Sequence, residues 1–186
     1  MNLIESFVKI INKDVSDEND TKTVPVMLRI ICVGMSVYLL FMLLHLLDVM
    51  LIVPIVFLFV CILLLFLSFW FSYKDKNLTA VILQHISILI WVFIAILFLG
   101  WECGAQQFIT LLLVSVFTGS YIGRRIKMEY AVLLVLIHVT LHLYMILHAP
   151  FYEQSFWEML YTHIASIVFC FGIIIAIVMT FSYNYK

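Results

Sequence analysis

The chain has 186 residues, of which 66% are hydrophobic and 11% charged, with a mean hydropathy of +1.18 and a formal net charge of −1. A soluble domain runs roughly 45–50% apolar and about 25% charged, so these proportions exclude a water-facing globular surface and make the bilayer the main solvent. A membrane-crossing helix takes about 20 apolar residues, which leaves room for six spans, short loops and one polar stretch, and none for a separate soluble domain.

Residues 1–24 are polar and mixed in charge. Leu3, Ile4, Phe7, Val8 and Ile11 recur at helical spacing while Glu5, Lys9 and Lys13 fall off that face. This pattern predicts a short amphipathic helix on the membrane surface, with a disordered tail as the alternative. No uninterrupted apolar core follows the first residues, so a cleavable signal peptide is not expected.

Residues 25–186 read as one six-helix transmembrane domain. The first span is expected from about Val26 to Leu47, with Asp48 at a tight turn. The second runs from about Val49 to Ser72 and carries Pro54 in its first turns, where proline is tolerated. A charged break, Tyr73–Asn77, leads to a third span from Leu78 to Leu99. Gly100 and Gly104 bracket Trp101, Glu102 and Cys103, and glycines so close predict a turn. The fourth span follows from Ala105 to Ile122, the fifth from Met128 to Leu147 and the sixth from about Glu158 to Tyr183. The segment from His148 to Trp157, with Pro150, is the longest outer loop.

Charge fixes the direction. In this layout all ten Lys and Arg, including Arg29, Lys74, Lys76, Arg124, Arg125 and Lys127, fall on one side. The other side holds Asp48, Glu102, Glu153 and Glu158 and no base. By the positive-inside rule the basic side, with both termini, is cytoplasmic.

Ionisable groups within a membrane are costly and usually face the bundle interior. His142 and His163 are each about six residues from an outer helix end, so they share a depth. His138 and His142 are four apart and lie on one helical face. His45 sits near the outer end of the first span, His148 at the outer boundary and His85 in the inner half of the third span. Two readings stand for His142 and His163: a haem or divalent-metal site, or interior imidazoles bonded to neighbouring helices. No cofactor is required by the sequence. Cys32, Cys61, Cys103 and Cys170 form no CxxC pair, which argues against a disulfide framework or thiolate zinc site. The outer face gathers acids with Trp101, Tyr152, Trp157, Gln106 and Gln107. That set suits a small cationic or amphipathic ligand or a divalent ion; an aromatic belt with solvated loop charges is the alternative. Catalytic signatures are absent, so the chain is not read as an enzyme.

One segment is more specific. Gln84-His85 is followed, after about fifteen apolar residues, by Leu99-Gly-Trp-Glu-Cys-Gly-Ala-Gln-Gln-Phe108. It resembles the pattern His…Gly-Trp-(Asp/Asn)-Ser-Gly-Phe-(Gln/His)-Tyr-Tyr in the N-terminal membrane region of bacterial GGDEF-type diguanylate cyclases. Glu102, Cys103 and Ala105 depart from that pattern, and Gln107 and Phe108 replace the tyrosine pair. No GGDEF motif or other output domain precedes Lys186. The resemblance implies a multi-span sensor that acts on a cytoplasmic signalling domain or partner, such as one synthesising a cyclic nucleotide, in a bacterial inner membrane.

The resulting expectation is a sensory or regulatory membrane domain that forms a homo-oligomer, a dimer, with the lipid bilayer and no nucleic acid as its other contacts. Its candidate ligand-binding residues are Trp101, Glu102, Gln106, His45, His142, His163 and Glu153, with His142 and His163 as the metal pair if there is one. A small transporter, channel or haem- or metal-binding protein is the alternative from another class, and a bilayer-perturbing effector is a third.

Overall fold

The computed structural model describes residues 23–118 and 123–184; the amphipathic segment expected near the N-terminus lies outside them. The described residues form six helices and no strand: α1 (Thr23–Asp48), α2 (Ile52–Ser72), α3 (Asn77–Leu99), α4 (Gln107–Thr118), α5 (Arg124–Leu147) and α6 (Phe156–Asn184). A single 3-10 turn, Trp101–Cys103, separates α3 from α4.

Five helices, all but α4, are long and apolar enough to cross a membrane, the mark of a multi-pass membrane protein. The fourth element is shorter than the span expected over residues 105–122. Its 12 residues rise only about 18 Å, against a hydrocarbon core of about 30 Å. Residues 119–122 lie outside the described part.

Local sequence explains the helix ends. Pro54 is the third residue of α2, where its missing N–H would have no intrahelical partner. Asp75 adopts a left-handed φ of 55° in the break after α2, a conformation that Asp tolerates. Ser155 and Glu158 open α6 as a capping box. The Glu158 backbone N–H donates to Ser155 Oγ (3.4 Å), and the Ser155 N–H donates back to Glu158 Oε2 (2.9 Å).

The helices alternate in direction, which segregates charge. Every described Lys and Arg lies at one end of the bundle; Asp48, Glu102, Glu153 and Glu158 lie at the other. The bundle thus has a basic end and an acidic end. Near the basic end, Arg29 is 1% exposed. Its Nε and Nη2 donate to Ser72 Oγ and the Ser72 carbonyl, and its guanidinium sits 3.7 Å from the centre of the Tyr73 ring. Gln84 of α3 donates to the Leu28 carbonyl (3.0 Å), and Ser68 of α2 to the Ala80 carbonyl (2.7 Å). Side-chain donors thus tie α1, α2 and α3 together where the interior offers no water.

The centre is aromatic. Tyr38, Trp91 and Phe108 are fully buried; the Tyr38 ring lies 4.6 Å from Phe108 and 6.2 Å from Trp91. Outward-facing residues are also apolar, as on α2 at Phe59, Leu63 and Phe66. That is the surface a lipid solvent selects, since burial against protein and exposure to lipid then cost an apolar side chain the same. α1 and α6 approach closely at Gly34. A Cβ there would stand 2.5 Å from Ile173 Cγ1 of α6.

Candidate functional site

The loop between α3 and α4 lies at the acidic end. Gly100 has φ 89° and Gly104 φ 77°, so both need the left-handed freedom of glycine. Between them Trp101–Cys103 makes one tight turn, and α4 restarts at Gln107. The prediction of turn glycines here matches the structure. At Gly123 an added Cβ would meet nothing within 4 Å among the described residues.

A turn of this kind leaves carbonyl groups that must find donors. They find them on α6. His163 Nδ1 donates to the Glu102 carbonyl (2.8 Å), Ser166 Oγ to the Cys103 carbonyl (2.9 Å) and Cys170 Sγ to the Gln107 carbonyl (3.2 Å). Positions 163, 166 and 170 fall on one helical face. Further along that face Ile173 packs against Gly34, and Ile177 is fully buried. A single stripe of α6 therefore holds the turn at one end and the core towards the other.

Behind Ser166 the bonds continue. A serine hydroxyl has one proton, and Ser166 gives it to Cys103. Tyr38 OH is then the donor in its 3.0 Å contact with Ser166 Oγ, and Trp91 Nε1 donates to Tyr38 OH at 3.4 Å. The chain Trp91–Tyr38–Ser166–Cys103 polarises in one direction, which strengthens each bond. Gly104 permits the close fit: a Cβ there would stand 3.1 Å from Ser166 Cβ and 3.3 Å from His163 Cα. Cys103 is enclosed, and burial pushes its thiol up to about 12.

Loop residues 148–155 close the other side. The Phe151 and Tyr152 N–H groups donate to the Leu97 and Phe98 carbonyls at the end of α3 (3.1 and 2.9 Å), and Pro150 packs over Gly100. Tyr152 OH donates to Glu158 Oε2 at 3.3 Å. Desolvation, helped by the Glu158 charge, raises the Tyr152 hydroxyl above its ordinary value. A cleft of about 480 Å³ opens between loop, turn, α5 and α6, and its walls include Trp101, Glu102, Met145, Glu153, Gln154 and Met159.

The residues predicted for this site separate into groups. Trp101, Glu102 and Glu153 line the cleft. His142 reaches the turn from α5, its ring 4.5 Å from that of Trp101, with His138 at 5.1 Å on the same indole. His163 reaches it from α6 through the Glu102 carbonyl. The two imidazoles thus converge on one turn by different contacts. His45 is 8% exposed and faces Gln154, with 3.5 Å between His45 Nε2 and Gln154 Nε2. Gln106 is 7% exposed, turned inward rather than along the rim, and its Oε1 has no partner among the described residues. His85 lies apart, bonded to Ser115 Oγ at 2.8 Å. Among the described residues no three His, Cys, Asp or Glu side chains are grouped as a metal site requires.

Residue-by-residue reading missed Ser166, Cys170, Gln154, Met145 and Met159. The signal for the first two was periodic: small polar residues at 166 and 170 share a helical face with His163. Compared with known proteins, the chain matches no family model, no curated protein and no solved structure.

Proposed function

We propose that this protein is a membrane-embedded sensory or regulatory domain, with the Gly100–Gln107 turn as its input and α6 as its output. The observation that carries the reading is the stripe on α6. His163, Ser166 and Cys170 are bonded to the turn, and Ile173 and Ile177 continue that face into the core. A ligand that shifts the turn must either break those bonds or move α6 with it. Packed interiors resist continuous deformation, so such a shift is passed along the helix rather than absorbed.

The distribution of charge supports a direction for the signal. The basic end carries the described Lys and Arg and so faces the cytoplasm by the positive-inside rule. In this reading the alternation of the six helices, α4 included although it is short, places both termini there, and the acidic end receives the signal outside. The end of α6 then delivers the change to a cytoplasmic output, in continuation or in a partner. The sequence resemblance at residues 84–108 points to cyclic-nucleotide synthesis as the class of output.

The test fuses the full chain after Lys186 to a cyclase reporter domain and substitutes Trp101→Ala, Glu102→Gln and His142→Ala one at a time. The proposal expects at least one variant to change reporter activity at equal membrane abundance. Unchanged output in all three would overturn the turn as the input.

A further inference from the structure

We infer that the cleft at the acidic end is a binding site for a small organic cation, an ammonium or guanidinium group carried on an apolar body. This inference rests on the sensory reading above and names the class of signal.

The cleft has the size and the mixed lining of a small-molecule site. Its volume is about 480 Å³, within the ~300–1,000 Å³ that such sites span. Met145 from α5 and Met159 from α6 both line it with adaptable, polarisable thioether. Leu99 and Pro150 add apolar surface, and Trp101 contributes an indole, the aromatic ring that attracts cations best.

Charge selects the ligand. Glu102 and Glu153 both line the cleft, and among the described residues neither carboxylate takes part in a hydrogen bond or ion pair. Glu158 is different, because its carboxylate caps α6 and accepts from Tyr152. The described Lys and Arg are all at the far end of the bundle. Glu102 and Glu153 are both exposed at the mouth of the cleft, with no described Lys or Arg at that end, so an organic cation can meet two carboxylates while its body covers the apolar walls.

A divalent metal fits less well. Calcium takes six to eight oxygen ligands and magnesium a near-ideal octahedron. The cleft offers two carboxylates and Gln154 among mainly apolar groups. An anion would meet two negative charges.

A cation seated here would touch α5, the turn, the 148–155 loop and α6 together. It would bear directly on the turn whose carbonyls His163 and Ser166 hold.

The experiment is calorimetric titration of the purified full chain in neutral maltoside detergent. The probes are benzyltrimethylammonium, spermidine and phenylguanidine, with benzenesulfonate and calcium chloride as comparisons. At least one cationic probe should bind saturably at one per chain. Glu102→Gln with Glu153→Gln should weaken it at least tenfold, while Glu129→Gln at the basic end leaves it unchanged. Absence of saturable binding by all three cations, equal binding by the double variant, or stoichiometric binding of calcium with none of the organic cations would overturn the inference. The reporter fusion separates this from the sensory reading. Cation binding without any change in reporter output overturns the sensory role and leaves the site. No cation binding, with output still altered by Trp101→Ala, overturns the site and leaves the sensory role.

Discussion

Gly104→Ala is the substitution that loads the joint between turn and helix most directly. Gly104 has φ 77°, and left-handed backbone costs an L-residue about 1–2 kcal/mol. The added Cβ would also stand 3.1 Å from Ser166 Cβ and 3.3 Å from His163 Cα, and the latter is backbone that no rotamer change moves aside. α6 must then retreat by a few tenths of an ångström, which stretches the His163–Glu102 and Ser166–Cys103 bonds. Each such bond is worth about 0.5–1.5 kcal/mol net, so with the backbone strain the loss comes to about 2–5 kcal/mol. For a chain of this size that lowers the midpoint of thermal unfolding by about 6–12 °C, taking ~3 kcal/mol as the central value. The assay is near-ultraviolet circular dichroism in mild detergent. Gly172→Ala is the matched control on α6: a Cβ there meets nothing within 4 Å. Helix propensity makes it neutral or more stable by up to about 1 kcal/mol. A Gly104→Ala midpoint equal to the wild type, or an equal fall in Gly172→Ala, would refute the reasoning.

Three further outcomes follow from the same contacts. Gly34→Leu should destabilise the bundle by driving α1 off Ile173, and adding Ile173→Ala should recover most of the loss; failure of the second change to help would show that α1 and α6 do not meet there. In membranes of intact cells, Glu153→Cys should react with an impermeant maleimide while Asp75→Cys reacts only after permeabilisation, and the reverse pattern would contradict the orientation. With Cys32, Cys61 and Cys170 replaced by Ala, Cys103 should resist maleimide at pH 8 until the chain is unfolded. Its thiol is lifted to about 12 by burial and stays protonated there; rapid labelling of the folded protein would disprove its enclosure.

Much of the fold was legible because helix ends coincide with chemical breaks. The charged stretch at 73–77, the glycine pair at 100 and 104, and the basic run at 124–127 each fall at a helix boundary. Apolar runs gave the long helices to within a few residues. Of the fourth span, expected over residues 105–122, the described helix covers Gln107–Thr118, because residues 105 and 106 still belong to the turn. Helical rise puts His142 and His163 about equally far from their helix ends, and both reach the same turn. Which atoms they touch was not legible, because that depends on how helices pack.

The candidate site was legible only in part. Trp101, Glu102 and Glu153 stood out by type at a boundary, and they do line one cleft. Ser166 and Cys170 looked like isolated small polar residues. Their meaning appears only when the turn carbonyls stand opposite them. Glu158 grouped by charge with the rim acids, yet Ser155 three residues earlier marks it as a helix cap. Gln106 has the polarity of a rim residue and is buried, because the chain turns inward after Gly104. Gly34, in an apolar run, gave no sign that Ile173 of α6 would stand against it.

Whether the turn acts on α6 through its side-chain bonds is read from reporter output in the cyclase fusion when those bonds are cut without touching the cleft, as in His163→Leu with Ser166→Val. The output should be altered and no longer respond to Trp101→Ala, while Gly172→Ala signals like the wild type. Output and Trp101 response both unchanged in the double variant would contradict that coupling.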